Sequence, residues 1–147
     1  MIVLDTNVIS ELTRRAPAPG VVSWLDSLTA AEVATTAITA AELLYGVARM
    51  PGGHRKTELA TAVHGLLSDD LHGRVLSFDE PAAHRYADIV TGRQQLGRPI
   101  GVADAQIAAI CRTIGATLAT RNTDDFEDTG IELINPWKMG HERHEGP

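Results

Sequence analysis

Residues 1–7 read Met1-Ile2-Val3-Leu4-Asp5-Thr6-Asn7, and this stretch decides the fold. Ile2 to Leu4 is a short apolar run led by β-branched side chains, the mark of a strand. Asp5-Thr6-Asn7 is a helix entry, because short oxygen-bearing side chains accept from the first unpaired helical N–H groups. A strand passing directly into a helix is the opening unit of a parallel sheet. The alternation continues. Val33 to Ile38 reads as a second strand, and Thr39 opens a helix that stops at Met50-Pro51-Gly52-Gly53. Arg74 to Phe78 reads as a third strand, followed by a helix capped by Ser77 and Glu80 that runs to about Leu96. Val102 to Ile114 is a helix closed by Gly115, Ala116 to Thr120 a fourth strand, and Ile131 to Ile134 a last short one. Val21 to Leu28 and His54 to about Ser68 carry helical spacing. The pattern predicts an α/β fold with a mostly parallel sheet, one domain over residues 1–137, and a flexible tail over 138–147.

The 147 residues carry 13 Lys+Arg against 19 Asp+Glu, a formal charge of −6. That balance argues against an indiscriminate nucleic-acid coat but not against a nuclease, which needs carboxylates where phosphate is cut. The cations are 11 Arg and 2 Lys, a bias toward the side chain that grips phosphate bidentately. Cys111 is the only cysteine, which excludes an intrachain disulfide and a zinc ribbon. No run approaches the roughly 18 apolar residues of a membrane span, and the N-terminus lacks the basic region of a signal peptide. A cytoplasmic location with no membrane partner is expected. Neither G-x-G-x-x-G nor G-x-x-x-x-G-K-[ST] occurs, so dinucleotide and P-loop readings lack their phosphate cradle.

Three acids stand where the pattern expects burial. Asp5 ends the first strand, where helix capping would also explain it. Glu42 shares a helical face with Ile38 and Tyr45, although Thr39-x-x-Glu42 also fits a capping box. Asp104 lies in VADAQIAAI, with no other charge nearby, on the stripe of Ile107, Ala108 and Cys111; a first-turn acid also suits the helix dipole. In a parallel α/β sheet the functional crevice lies beyond the carboxyl ends of the strands, so all three acids are expected at one edge. Clustered ionised carboxylates repel, so either one takes a proton or a cation joins them. Magnesium or manganese suits an all-oxygen donor set.

MIVLDTNVISEL, AITAAELLYGV, IGVADAQIAAI, GATLATRNTDDF and NPW, in that order, resemble the successive motifs of PIN-domain endoribonucleases, above all the VapC and FitB-like toxins of toxin–antitoxin modules. The resemblance spans Met1 to about Trp137 and implies an α/β/α sandwich that cuts RNA, such as a tRNA, with Mg2+ or Mn2+. It further implies a homodimer held in check by a VapB/FitA-like antitoxin, which alone contacts operator DNA. By position, Asp5, Glu42 and Asp104 match the metal-binding acids, and Thr6, Asn7 and Thr120 match donors that orient them. Asn122 stands where such toxins often carry a fourth acid; either Asn122 remains as a polar group at the site or Asp125 supplies the charge. Arg14, Arg15, Arg49 and Arg121 are candidates for RNA or antitoxin contact, and Leu12, Trp24, Leu44 and Tyr45 for an apolar groove or plain core. The same acids would also serve a phosphohydrolase of small esters, or persist in a module that acts by binding.

Overall fold

The computed structural model describes residues 1–139. Five strands, β1 (Ile2–Leu4), β2 (Val33–Thr36), β3 (Val75–Leu76), β4 (Thr117–Ala119) and β5 (Glu132–Ile134), form one sheet in the order β3-β2-β1-β4-β5. Every pairing is parallel, in keeping with the expected mostly parallel sheet. The helices are α1 (Thr6–Leu12), α2 (Pro19–Asp26), α3 (Ala37–Ala48), α4 (His54–Gly65), α5 (Glu80–Gln95) and α6 (Val102–Ile114).

Alternation along the central strands sorts the core into two layers. Leu4 and Ala119 face one way and pack with Val8, Ile9, Trp24, Leu43 and Val63 from α1 to α4. Val3 and Leu118 face the other way and pack with Ile89, Ile107 and Phe126. β1, covered on both faces, is apolar throughout, while the buried Thr35 of β2 satisfies its hydroxyl by donating to the Leu4 carbonyl at 2.8 Å. This is the anticipated α/β/α sandwich.

Several boundaries differ from the sequence reading, each for a local reason. β2 ends at Thr36, whose hydroxyl accepts from the Thr39 N–H at 3.1 Å, so α3 starts two residues before Thr39 and Glu42 is not part of a capping box. The capping box forms instead at Thr29 and Glu32. Asp79, not Ser77, caps α5 through the Ala82 N–H. Gly115 closes α6 at φ 67, as expected of a left-handed terminal position. Residues 136–139 form a short helical turn and Met139 packs on the core, so order persists past Trp137. The remainder of the expected tail, residues 140–147, lies outside the described residues.

Candidate active site

Chain order runs outward from β1 through β2 to β3, then resumes on the opposite side of β1 with β4 and β5. The switch point therefore lies between β1 and β4, where an open α/β sheet leaves a crevice beyond its carboxyl edge. Asp5 follows β1 and Thr120 follows β4, so both stand at that crevice, and the Asp5 N–H donates to the Ala119 carbonyl at 2.9 Å.

Asp5 is 5% exposed, and its carboxylate is held on both oxygens. Oδ1 accepts from the Thr6 N–H at 2.8 Å, which is the helix cap the sequence suggested. Oδ2 accepts from the Thr120 hydroxyl at 2.8 Å and from Asn7 Nδ2 at 3.4 Å. The Thr120 oxygen also accepts from Asn7 Nδ2 at 3.2 Å and from the Asn122 N–H at 3.1 Å, so its single proton is committed to Asp5. Asn7 Oδ1 accepts from the Arg121 N–H at 3.1 Å, and the Thr6 hydroxyl donates to Thr39 at 3.2 Å. Thr6, Asn7 and Thr120 thus orient the carboxylate or brace the groups beside it. Both capping and site geometry explain Asp5.

Asp5, Glu42 and Asp104 line one cavity of about 540 Å3 with Asn7, Glu11 and Asn122. Asp5 is raised above the usual carboxylate range, first by burial, against the lowering effect of its hydrogen bonds from Thr120 and Thr6. Glu42 is exposed on α3, although the pattern expected burial there; partial desolvation and then the Asp5 charge still raise it, with a Thr6 hydrogen bond opposing. Asp104 is pushed up to about 6 by burial, then by the charges of Asp5, Asp125 and Glu42, with Arg93 opposing. Desolvation and mutual repulsion thus act together on all three. None of them makes an ion pair among the described residues.

Asn122 lines this cavity, whereas Asp125 does not line it but acts on Asp5 and Asp104 through its charge. Arg14 and Arg121 are at the cavity. Arg15 lies instead in a neighbouring groove of about 800 Å3 between α1, α3 and α4, paired to Glu58 at 2.8 Å. Arg49 lines neither space and rests 5.8 Å from the Tyr45 ring. The apolar wall of the groove comes from Leu43, Val47, Met50, Leu59 and Val63 rather than from Leu12, Trp24, Leu44 and Tyr45. Trp24 is core, and Leu44 and Tyr45 point outward.

Three residues at or behind the site escaped the sequence reading. Glu11 is buried at the cavity, paired to Arg14 at 3.2 Å and accepting from the Ala18 N–H; its position one turn beyond Asn7 was the available signal. Trp137, singled out in the sequence only within the NPW motif, lines the cavity beneath Arg121. Arg93 is 4% exposed and donates to the carbonyls of Arg98, Asp125 and Glu127 at 2.7–3.0 Å, without a carboxylate partner among the described residues. It fixes the 123–126 turn that carries Asp125.

Comparison with known proteins gives the same direction. The chain is 44% identical to the VapC ribonuclease Y4jK of Sinorhizobium fredii, covering 94% of this chain and 99% of that protein. It is 43% identical to the toxin FitB of Neisseria gonorrhoeae, over 93% and 99%. A solved structure of FitAB bound to an IR36 DNA fragment superposes with a TM-score of 0.87 at 42% identity, covering 93% of this chain and 96% of that one. The family model of the PIN domain matches residues 2–132, and with the sheet order and acidic crevice described above, the chain belongs to the PIN domain family.

Proposed function

We propose that this protein is the toxin of a type II toxin–antitoxin module and a divalent-metal-dependent endoribonuclease. One observation carries the reading: three elements distant in sequence deliver Asp5, Glu42 and Asp104 to a single cavity, and among the described residues no cation is paired to any of them. The similarity to VapC and FitB supports it.

The donor set fits Mg2+ or Mn2+. Among the described residues no three acidic, histidine or cysteine side chains make a ready-built metal cage. Magnesium seldom uses one; it takes one or two carboxylates and keeps waters and substrate phosphate for the rest. Asp5, Glu42 and Asp104 would hold it, with Asn122 or Asp125 at the fourth position. When bound, such an ion polarises a phosphoryl oxygen and eases ionisation of water. The chain's own residues supply orientation. Thr120 and Asn7 fix the Asp5 carboxylate. Asp104, half-buried and pushed up to about 6 in the metal-free site, is largely ionised at neutral pH and so available to hold the cation and orient the attacking water. Hydrolysis leaves a 5′-phosphate and a 3′-hydroxyl on RNA, with a structured RNA such as a tRNA as substrate.

The groove between α1, α3 and α4 shares Thr6, Ser10, Arg14 and Glu42 with the acidic cavity. A VapB/FitA-like antitoxin segment seated there would abut the site and block it, and operator DNA would be reached through that antitoxin alone. A homodimer in the cytoplasm completes the reading; no helix among the described residues is long and apolar enough to cross a membrane.

The test is cleavage of total cellular RNA by antitoxin-free protein with Mg2+, with Mn2+ and with chelator, beside Asp5→Asn and Asp104→Asn. Discrete fragments that need metal and vanish in both variants are expected. Hydrolysis of a generic phosphate ester with RNA left intact would move the small-molecule phosphohydrolase reading ahead.

A further inference from the structure

An acidic cavity that must receive a polyanion needs a cation that is not already spent on the acids. Arg14 is engaged by Glu11 at 3.2 Å, and Arg93 is buried on backbone carbonyls. Arg121 differs. It lines the cavity, is exposed, and makes no ion pair among the described residues. Its backbone is tied to the site by the N–H bond to Asn7, and its guanidinium carbon lies 4.9 Å from the centre of the Trp137 ring. Trp137 is itself fixed, packing on the core below and donating its N–H to Asn135 Oδ1 at 3.0 Å. Stacking on an aromatic face leaves the edge N–H donors of a guanidinium free for a phosphate while limiting its freedom to collapse onto the carboxylates.

We propose that Arg121, braced by Trp137, grips a phosphate of the RNA strand next to the bond that is cut, with Trp137 as the positioning residue. The inference rests on RNA being the substrate. A phosphate is favoured over an antitoxin carboxylate because Arg121 stands with Asp5, Asp104 and Asn122 in the cavity and does not line the larger groove.

The test uses full-length Asp104→Asn protein, in which cutting is suppressed, and a short fluorescein-labelled single-stranded RNA titrated over a range of salt. Adding Arg121→Gln should flatten the logarithmic salt dependence of binding by about 0.7 to 1, the signature of one lost phosphate contact. Trp137→Phe, which keeps an aromatic face, should hold the parent slope, whereas Trp137→Leu should approach the slope of Arg121→Gln and add nothing to it. An unchanged slope in Arg121→Gln overturns the inference while leaving the ribonuclease reading standing. Weakened antitoxin binding with an unchanged RNA slope also overturns it and reassigns Arg121 to that partner. A parent protein that binds no RNA at any salt overturns both. Should Trp137→Leu fail to fold, the surface variant Arg121→Gln still decides whether the contact exists, and a flattened slope in folded Trp137→Phe would overturn the bracing role.

Discussion

Thr120 donates its hydroxyl to Asp5 Oδ2 at 2.8 Å, joining two residues 115 positions apart at the ends of adjacent strands. Removing this hydroxyl leaves Asp5 Oδ2 with only the 3.4 Å bond from Asn7 and takes the shared acceptor from the N–H groups of Asn7 and Asn122. Thr120→Val, nearly equal in shape, should therefore cost about 1–3 kcal/mol of stability, read as a shifted urea midpoint, and lower RNA cleavage by a larger factor than that stability loss implies.

The pH response follows from Asp104. Its folded pKa of about 6 lies above its usual value of 3.8, so between those values the folded protein keeps a proton that the unfolded chain has released. Metal-free protein should lose stability as pH rises through that window, and Asp5 and Glu42, also raised, act in the same sense. Added Mg2+ or Mn2+ should flatten the fall. Cleavage at limiting metal should rise as pH approaches about 6, the rise moving to lower pH as metal is added and displaces the proton. Melting temperatures across pH, with and without metal, check the first two expectations; initial rates check the third.

The fourth position at the site can be settled by moving one charge. Asn122→Asp adds a carboxylate to the cavity and should tighten Mn2+ binding while lowering the stability of the metal-free protein. Asp125→Asn should loosen Mn2+ binding and bring Asp104 closer to its usual pKa, because Asp125 contributes to the raised value. Calorimetric titration of Mn2+ with each variant measures both. Equal affinity in Asp125→Asn and the parent would leave Asp125 as a plain turn residue.

Arg93→Met should be costly although Arg93 touches none of the acids. Three carbonyls lose their donor at once in a buried setting, for a loss of about 2–5 kcal/mol in chemical denaturation. Arg98→Ala removes exposed pairs to Glu127 and Asp128 from the same turn and should cost under about 1 kcal/mol.

The strands and the acids were legible because their signals are local. Asp5 directly after an apolar run, Asp104 alone in an uncharged helix, and Gly115 after Ile114 each state their position within a few residues. The start of α3 was not legible in that way. Val33-Ala34-Thr35-Thr36-Ala37-Ile38 is β-branched at four of its six positions, and it is the Thr36 hydroxyl capping the Thr39 N–H that marks where the strand stops. Arg93 was hidden for a related reason. Arg93 looks as solvated as Arg85 on the same helix until the 123–127 segment folds over it from more than 30 residues away. Parallel topology followed from the alternation of elements, but the order β3-β2-β1-β4-β5 depends on which strands meet, and no single strand encodes that.

The position of β4 between β1 and β5 has a consequence for the chain as it is made. Asp5 and Glu42 are synthesised early, but the partners that hold and complete the centre, Asp104, Thr120 and Asn122, come only after about two thirds of the polypeptide, and β4 must insert beside the first strand to bring them in. Until then the chain carries two of the three acids and lacks the Thr120 hydroxyl that holds Asp5. The centre closes only once β4 has been made and has inserted beside β1, which separates making the first acids from arming them.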